Sequence, residues 1–366
     1  MPLVAHNHLP TFERLRQEGV RVLTPEAARH QDIRELHIGL LNMMPDAALA
    51  ATERQFLRLI GESNPIAQFY VHLFTLDELP RSDEAKAYIS AYYDHFATIR
   101  QQGLDALIIT GANVVGAELE QQPFWHPLIE IADWAWHHVT STLCSCLATH
   151  AVLQFRYQQT RVRQMQKKWG VFPHRVVDPS HPLVCDINSR FDVPHSRWNA
   201  ISAEQLQQAG LRLLVSGDDG CLHLATSSDG LRLVLFQGHP EYDTISLLKE
   251  YKREVILYQQ GKNSHYPPFP QDYFDNYSQA ILNEYRYRTE QALASGVTPP
   301  PFPERLLTPR LNNTWHDSGA AVVGNWIGLV YQLTHSDRDK PFMPWVDPDN
   351  PLMLAHQARR QPNDST

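Results

Sequence analysis

The sequence predicts an α/β protein: a mainly parallel sheet flanked by helices in three layers, with extensions at both chain ends. Three observations carry this. Short apolar runs ending in loop-forming residues alternate with helix-like segments from Leu36 to Leu153, the pattern of βαβ units. The run Val139-Thr140-Ser141-Thr142-Leu143 is rich in β-branched residues, which suit a pleated strand. With 366 residues, 43% apolar and 20% charged, the chain is globular and long enough for a sizeable core.

The elements follow in order. Residues 1–35 are polar and mixed and read as an N-terminal arm. Leu36–Asn42 is a buried strand running into the loop Met43-Met44-Pro45-Asp46. Residues 52–60 read as a helix with Phe56, Leu57 and Ile60 on one side. Ile66–Phe74 and Ala106–Thr110 are further strands, the second ending in Gly111-Ala112-Asn113. A helix is expected over about 127–136, then the strand at 139–143. Leu211–Val215, Cys221–Thr226 and Leu231–Phe236 are short strands separated by the hairpin signals Asp218-Asp219-Gly220 and Ser228-Asp229-Gly230. Residues 244–258 return to helix. This main domain spans 36–297; Thr298-Pro299-Pro300-Pro301-Phe302-Pro303 then breaks regular structure. In the extension 298–366, a helix over 313–334 is expected to dock on the core. No internal repeat is present.

Composition excludes several function classes. A net charge of −8 does not suit a general nucleic-acid binder. No apolar run reaches membrane-spanning length, and the N-terminus lacks the basic and apolar regions of a signal peptide. Four cysteines without a C-x-x-C pair read as neither a disulfide framework nor a zinc ribbon. The expectation is a reduced, cytoplasmic enzyme. The 19 histidines are scattered without ligand spacing, so no metal is expected.

Cys146 follows the strand at 139–143 and precedes Leu147-Ala148-Thr149-His150-Ala151-Val152-Leu153, a good helix opening. A cysteine alone is most often a buried structural thiol. At a strand-to-helix turn, however, the helix N-terminus favours the thiolate, and backbone N–H groups can hold an oxyanion. Cys144 is the rival nucleophile, but it lies within the strand. Ninety-three residues after Cys146, His239 opens His239-Pro240-Glu241-Tyr242 after the strand at 231–236. A thiol nucleophile needs a base, and the base needs a carboxylate to orient it. Cys146, His239 and Glu241 supply all three.

The motifs Asn42-x-Met44-Pro45, Thr110-Gly111-Ala112, Val139-Thr140-Ser141-Thr142-Leu143-x-x-Cys146, Pro194-His195-Ser196-Arg197 and Gly238-His239-Pro240-Glu241-Tyr242-Asp243 resemble those of the homoserine O-acyltransferases of the MetA type. Glu53-x-Gln55-Phe56-Leu57-Arg58-Leu59 and Asn325-Trp326 add to the resemblance, which covers about residues 1–335. It implies a class I glutamine amidotransferase-like, flavodoxin-like fold. It also implies a ping-pong transfer of a succinyl group from succinyl-CoA to L-homoserine, the first committed step of methionine biosynthesis. Cys146 would carry the acyl group as a thioester, His239 would move the proton, Glu241 would orient His239, and the Leu147 N–H would hold the oxyanion. Lys167, Ser196 and Arg253 match the family's substrate-binding positions; an arginine fork suits a carboxylate. No cofactor is implied beyond the acyl-CoA co-substrate, and the family tends to form homodimers.

Two departures stand out. Family members commonly carry lysine after Met-Pro, where this chain has Asp46-Ala47 in a loop about two residues longer. At the position that separates acyl donors, glycine goes with succinyl-CoA and glutamate with acetyl-CoA. Here that position is Val115, flanked by Gly116. Valine adds no charge to repel the free carboxylate of a succinyl group, so succinyl-CoA is the expected donor. Acetyl-CoA as donor, serine as acceptor and a glutamine amidotransferase-like hydrolase are the alternatives. Against the last, Ser145-Cys146-Leu147 lacks the flanking glycines of a G-x-C-x-G elbow.

Overall fold

The apolar runs pair side by side in a single sheet. The computed structural model describes residues 3–63, 67–112, 114 and 118–354. Its strands are β1 (Leu3–Val4), β2 (Val22–Leu23), β3 (Glu35–Leu41), β4 (Gln68–Phe74), β5 (Ala106–Ile109), β6 (Ser141–Ser145), β7 (Val162–Val176), β8 (Arg190–Ala200), β9 (Arg212–Gly217), β10 (Leu222–Thr226) and β11 (Leu233–Phe236). They lie in the order β2-β1-β4-β3-β5-β6-β11-β10-β9-β7-β8. From β2 to β11 every neighbour is parallel; from β11 to β8 every neighbour is antiparallel.

The helices are α1 (Pro10–Gln17), α2 (Pro25–Arg29), α3 (Asp46–Ser63), α4 (Asp83–Tyr92), α5 (Phe96–Gln102), α6 (Trp125–His138), α7 (Leu147–Tyr157), α8 (Ala203–Gln208), α9 (Ser246–Gln259), α10 (Asn276–Ala294), α11 (Glu304–Leu307) and α12 (His316–Leu333). Alternation along the strands divides the core into two layers. Ile38, Leu40 and Ile108 pack with Phe12, Leu57, Ile60 and Trp326 of α1, α3 and α12. Leu107 and Ile109 pack on the other face with Ile99, Leu128, Ile131 and Ala151 of α5, α6 and α7. The result is the three-layer, mainly parallel α/β architecture expected.

The differences from the sequence reading are physical. Residues 3–31, read as an arm, place β1 and β2 on the sheet edge, with Leu3 paired to Phe69 and Val22. Strands of two residues leave no period in a sequence. The loop 43–46 is short because Asp46 already opens α3, which extends well beyond 52–60 in both directions. Ile66 lies outside the described residues. The strand expected at 139–143 runs 141–145, which brings its end to Cys146. The longest strands, β7 and β8, were missed. They mix buried, half-exposed and exposed positions, and their pairing is bulged between Arg163 and Lys168, so no clean alternation marks them.

α12 is the expected C-terminal docking helix. Trp326 is fully buried and donates from Nε1 to Ser141 Oγ at 2.7 Å, beneath β6. No helix among the described residues is long and apolar enough to cross a membrane.

Candidate active site

Strand β6 ends at Ser145 and α7 begins at Leu147, which leaves Cys146 as the whole turn. Its backbone is forced to φ 50°, ψ −102°, a conformation that L-residues avoid and that functional sites often retain. The elbow is held from several sides. Cys146 N donates to Phe236 O of β11 at 2.8 Å, and Gln237 Nε2 donates to Cys146 O at 3.2 Å. Gln237 Oε1 in turn meets His150 Nε2 at 2.7 Å. Since the Gln237 amide nitrogen faces a carbonyl, its oxygen must face His150, which therefore carries its proton on Nε2.

Parallel pairing of β6 with β11, Ser145 opposite Phe236, brings the ends of both strands to the same edge. Three residues beyond Phe236, His239 is close enough to Cys146 to interact with it electrostatically. Its Nδ1 meets Glu241 Oε1 at 2.7 Å, which leaves Nε2 for the thiol. Burial alone would lower the His239 pKa. The Glu241 carboxylate and the neighbouring Cys146 outweigh it and hold the value well above the ordinary one. The loop is gripped from outside. Tyr242 stacks on His239 at 4.3 Å, Trp315 Nε1 donates to Tyr242 O at 2.9 Å, and Asp243 pairs with Arg54 and Arg58 of α3. The close approach of α12 requires glycine at 319, since a Cβ there would meet Pro240 Cβ at 2.9 Å.

Cys144 is fully buried, and burial pushes its thiol up to about 12. A thiol that resists ionisation is a poor nucleophile, which favours Cys146. Leu147 places its N–H at the start of α7, beside Gly111. A Cβ on Gly111 would stand 3.7 Å from Cys146 Cβ and 3.9 Å from Leu147 N, so its absence keeps the space before the nucleophile open. Val115 lies outside the described residues.

Lys167 and Ser196 come from the paired strands β7 and β8. Alternation sends Lys167 and Trp169 to one face and Lys168 to the other. Lys167 Nζ lies 3.6 Å from Glu250 Oε2 of α9, whereas Lys168 pairs with Asp219. Ser196 Oγ donates to Glu250 Oε2 at 2.6 Å, Trp169 Nε1 donates to the same oxygen at 2.9 Å, and Tyr242 OH donates to Oε1 at 2.7 Å. Burial pushes the Glu250 pKa up, but Lys167 and these donors outweigh it and hold the carboxyl below its usual range. Arg253 follows one turn later on α9. Its side chain is 55% exposed and donates to the neighbouring Glu254 at 3.3 Å.

A family profile described as homoserine O-succinyltransferase matches residues 2–336. The homoserine O-succinyltransferase of Thiobacillus denitrificans is 64% identical over 97% of this chain and 100% of its own length. That of Allochromatium vinosum is 63% identical over 97% and 99%. The chain belongs to the homoserine O-succinyltransferase family. Among solved structures, a glutamine amidotransferase from Methylobacillus flagellatus has a TM-score of 0.42 and 12% identity, covering 81% of this chain and 95% of that one.

As a homoserine O-succinyltransferase-family chain it is an acyltransferase, and two of its best-placed side chains escaped sequence reasoning. Glu250 and Gln237 stand in no motif and carry no spacing signal. Only the fold shows one gathering Lys167, Ser196 and Tyr242, and the other holding the strained elbow. The loop that lacks the family lysine does hold a cation of another kind: Arg81 donates to Met44 O at 2.5 Å and pairs with Asp46 at 3.2 Å.

Proposed function

We propose that this chain moves the succinyl group of succinyl-CoA to the hydroxyl of L-homoserine through a thioester on Cys146. The observation that carries the reading is the strained Cys146 elbow within reach of a His239 fixed by Glu241 at 2.7 Å. His239 takes the thiol proton, and the thiolate attacks the thioester carbonyl of the donor. The Leu147 N–H stabilises the oxyanion. Collapse expels the coenzyme A thiolate, which leaves with the proton from His239. In the second half the homoserine hydroxyl gives its proton to His239 and attacks the acyl-enzyme. Cys146 departs as a thiolate and recovers that proton.

Lys167, Ser196 and Glu250 line the acceptor side, with Arg253 near its exposed end. Glu250 supplies the negative charge that an ammonium group needs, and Arg253 suits a carboxylate. The names of the close relatives support succinyl-CoA as donor, and the reading calls for no cofactor besides the acyl-CoA. Intact-protein mass spectrometry after mixing with succinyl-CoA or acetyl-CoA tests it. A succinyl adduct that disappears in Cys146→Ala is expected. An adduct that survives Cys146→Ala would move the nucleophile, and a higher kcat/KM with acetyl-CoA would overturn the donor. Homoserine and serine assayed side by side decide the acceptor.

A further inference from the structure

On the antiparallel part of the sheet, the face opposite Glu250 carries a second cluster that the acyl-transfer scheme does not use. His174 of β7 and His195 of β8 are both fully buried, and their rings stack at 5.0 Å. Their Nε2 atoms are 3.1 Å apart, and Cys221 Sγ lies 3.5 Å from His174 Nε2. One ligand atom from each residue falls within 4.8 Å of the others. We propose that His174, His195 and Cys221 bind one borderline-soft divalent transition ion of the Zn2+ or Co2+ class.

Two of the three separations, 3.1 and 3.5 Å, are close to those in a coordination shell. Zinc–nitrogen bonds of about 2.0–2.1 Å and zinc–sulfur bonds of about 2.3 Å, at tetrahedral angles, separate two nitrogens by roughly 3.3 Å and nitrogen from sulfur by roughly 3.6 Å. The His174 ring is already oriented as a ligand. Its Nδ1 donates to Phe172 O at 2.8 Å, which leaves an unprotonated Nε2 pointing at the other two groups. A backbone carbonyl behind the ring is the usual support of a metal-binding histidine.

The lone pair on His174 Nε2 is approached by both His195 Nε2 and Cys221 Sγ, and Cys221 also interacts with the Asp219 carboxylate. Nearby, His223 is buried with its Nδ1 lacking a partner among the described residues. The backbone also makes room. A Cβ on Gly217 would come within 2.7 Å of both Cys221 Sγ and Asp219 Oδ1, and within 3.3 Å of His174 Nε2. Glycine keeps that volume clear, and Asp219 or a water can occupy a fourth position. Cys221 is partly exposed and gives a route of entry.

Binding replaces the thiol proton by the ion and releases that proton. His195 moves its remaining proton to Nδ1, at the cost of the 3.4 Å contact from Arg197 Nε. Arg197 and Lys168 oppose added positive charge, so the anionic sulfur is essential, and soft ions are favoured over Mg2+ or Ca2+.

The test is Co2+ titration of the purified chain, read by thiolate-to-cobalt charge-transfer absorption, with Zn2+ stoichiometry measured by equilibrium dialysis. One ion per chain is expected. The band should vanish in Cys221→Ser and persist in Cys146→Ser. His174→Asn should weaken Zn2+ binding by more than the roughly 10- to 100-fold typical of losing a supporting partner. Zn2+ should raise the wild-type Tm and leave the Cys221→Ser Tm unchanged, the two metal-free Tm values agreeing. If the metal-free Cys221→Ser chain does not fold, Cys221→Ala replaces it. Absence of saturable binding, or a band lost in Cys146→Ser rather than Cys221→Ser, overturns the proposal.

Discussion

The two parts of the sheet present chemistry differently. Between β2 and β11 the strands are parallel, so each chain crossing passes through at least one helix, and β6 runs straight into its helix at a strand-to-helix turn. Such a turn can strain one residue and expose its side chain, as at Cys146. Between β11 and β8 the strands are antiparallel, and the long β7–β8 pair works through its two faces. One face sends Lys167, Trp169 and Ser196 to Glu250, and the other gathers His174 and His195 beside Cys221. In the proposed scheme, reacting atoms come from strand ends, whereas recognising groups come from strand faces. His239 sits at the seam, since β11 is parallel to β6 and antiparallel to β10.

The largest expected effect is at that seam. His239→Asn should lower kcat by on the order of 10^4-fold or more, measured in steady state, while acceptor binding changes little. A small loss would break the assignment of chemistry to the strand ends.

Glu250→Gln probes the face that meets α9. Removing the charge that organises Lys167 and Ser196 should lower kcat/KM for homoserine by roughly 100-fold, about 2–3 kcal/mol. The rate of acyl-enzyme formation in single turnover should stay near wild type. A slowed first half-reaction would show that this face serves donor chemistry as well.

Glu241→Gln separates orientation from charge. Because the folded His239 pKa is raised, the stabilisation it gives is fully present below about pH 6.5, the unfolded value. It is lost as pH rises through the folded value. Urea melts should therefore show a loss of about 1–2 kcal/mol near pH 6 that shrinks at alkaline pH. A loss independent of pH would mean that Glu241 acts by packing.

The smallest effect lies on α12. His316 bonds Glu62 of α3 at 2.9 Å, which raises its pKa to about 9. Its contribution is complete below about pH 6.5 and fades between there and about 9. The site is half-exposed, so His316→Gln should cost under about 1 kcal/mol, seen as a slightly lower Tm at pH 6 only.

Much of this was legible before the fold. Buried parallel strands favour apolar and β-branched residues, so the runs of β3, β5 and β6 stood out, and the motifs around Cys146 and His239 mark the turns that follow β6 and β11. With their mix of buried, half-exposed and exposed positions, β7 and β8 were silent, because a strand that meets water on part of each face has no strong period. Glu250 was silent too, since a glutamate on an amphipathic helix usually faces solvent.

The sequence by itself determined the α/β class and singled out Cys146, His239 and Glu241 as candidates, because strand ends and local spacing are written in adjacent residues. Only the tertiary structure decided that Cys144 is fully buried with its thiol pKa pushed up, that Lys167 rather than Lys168 faces Glu250, and that His174, His195 and Cys221 converge. Those outcomes depend on which strands lie side by side and which face each residue takes, and residues brought together from separate strands leave no spacing along the chain.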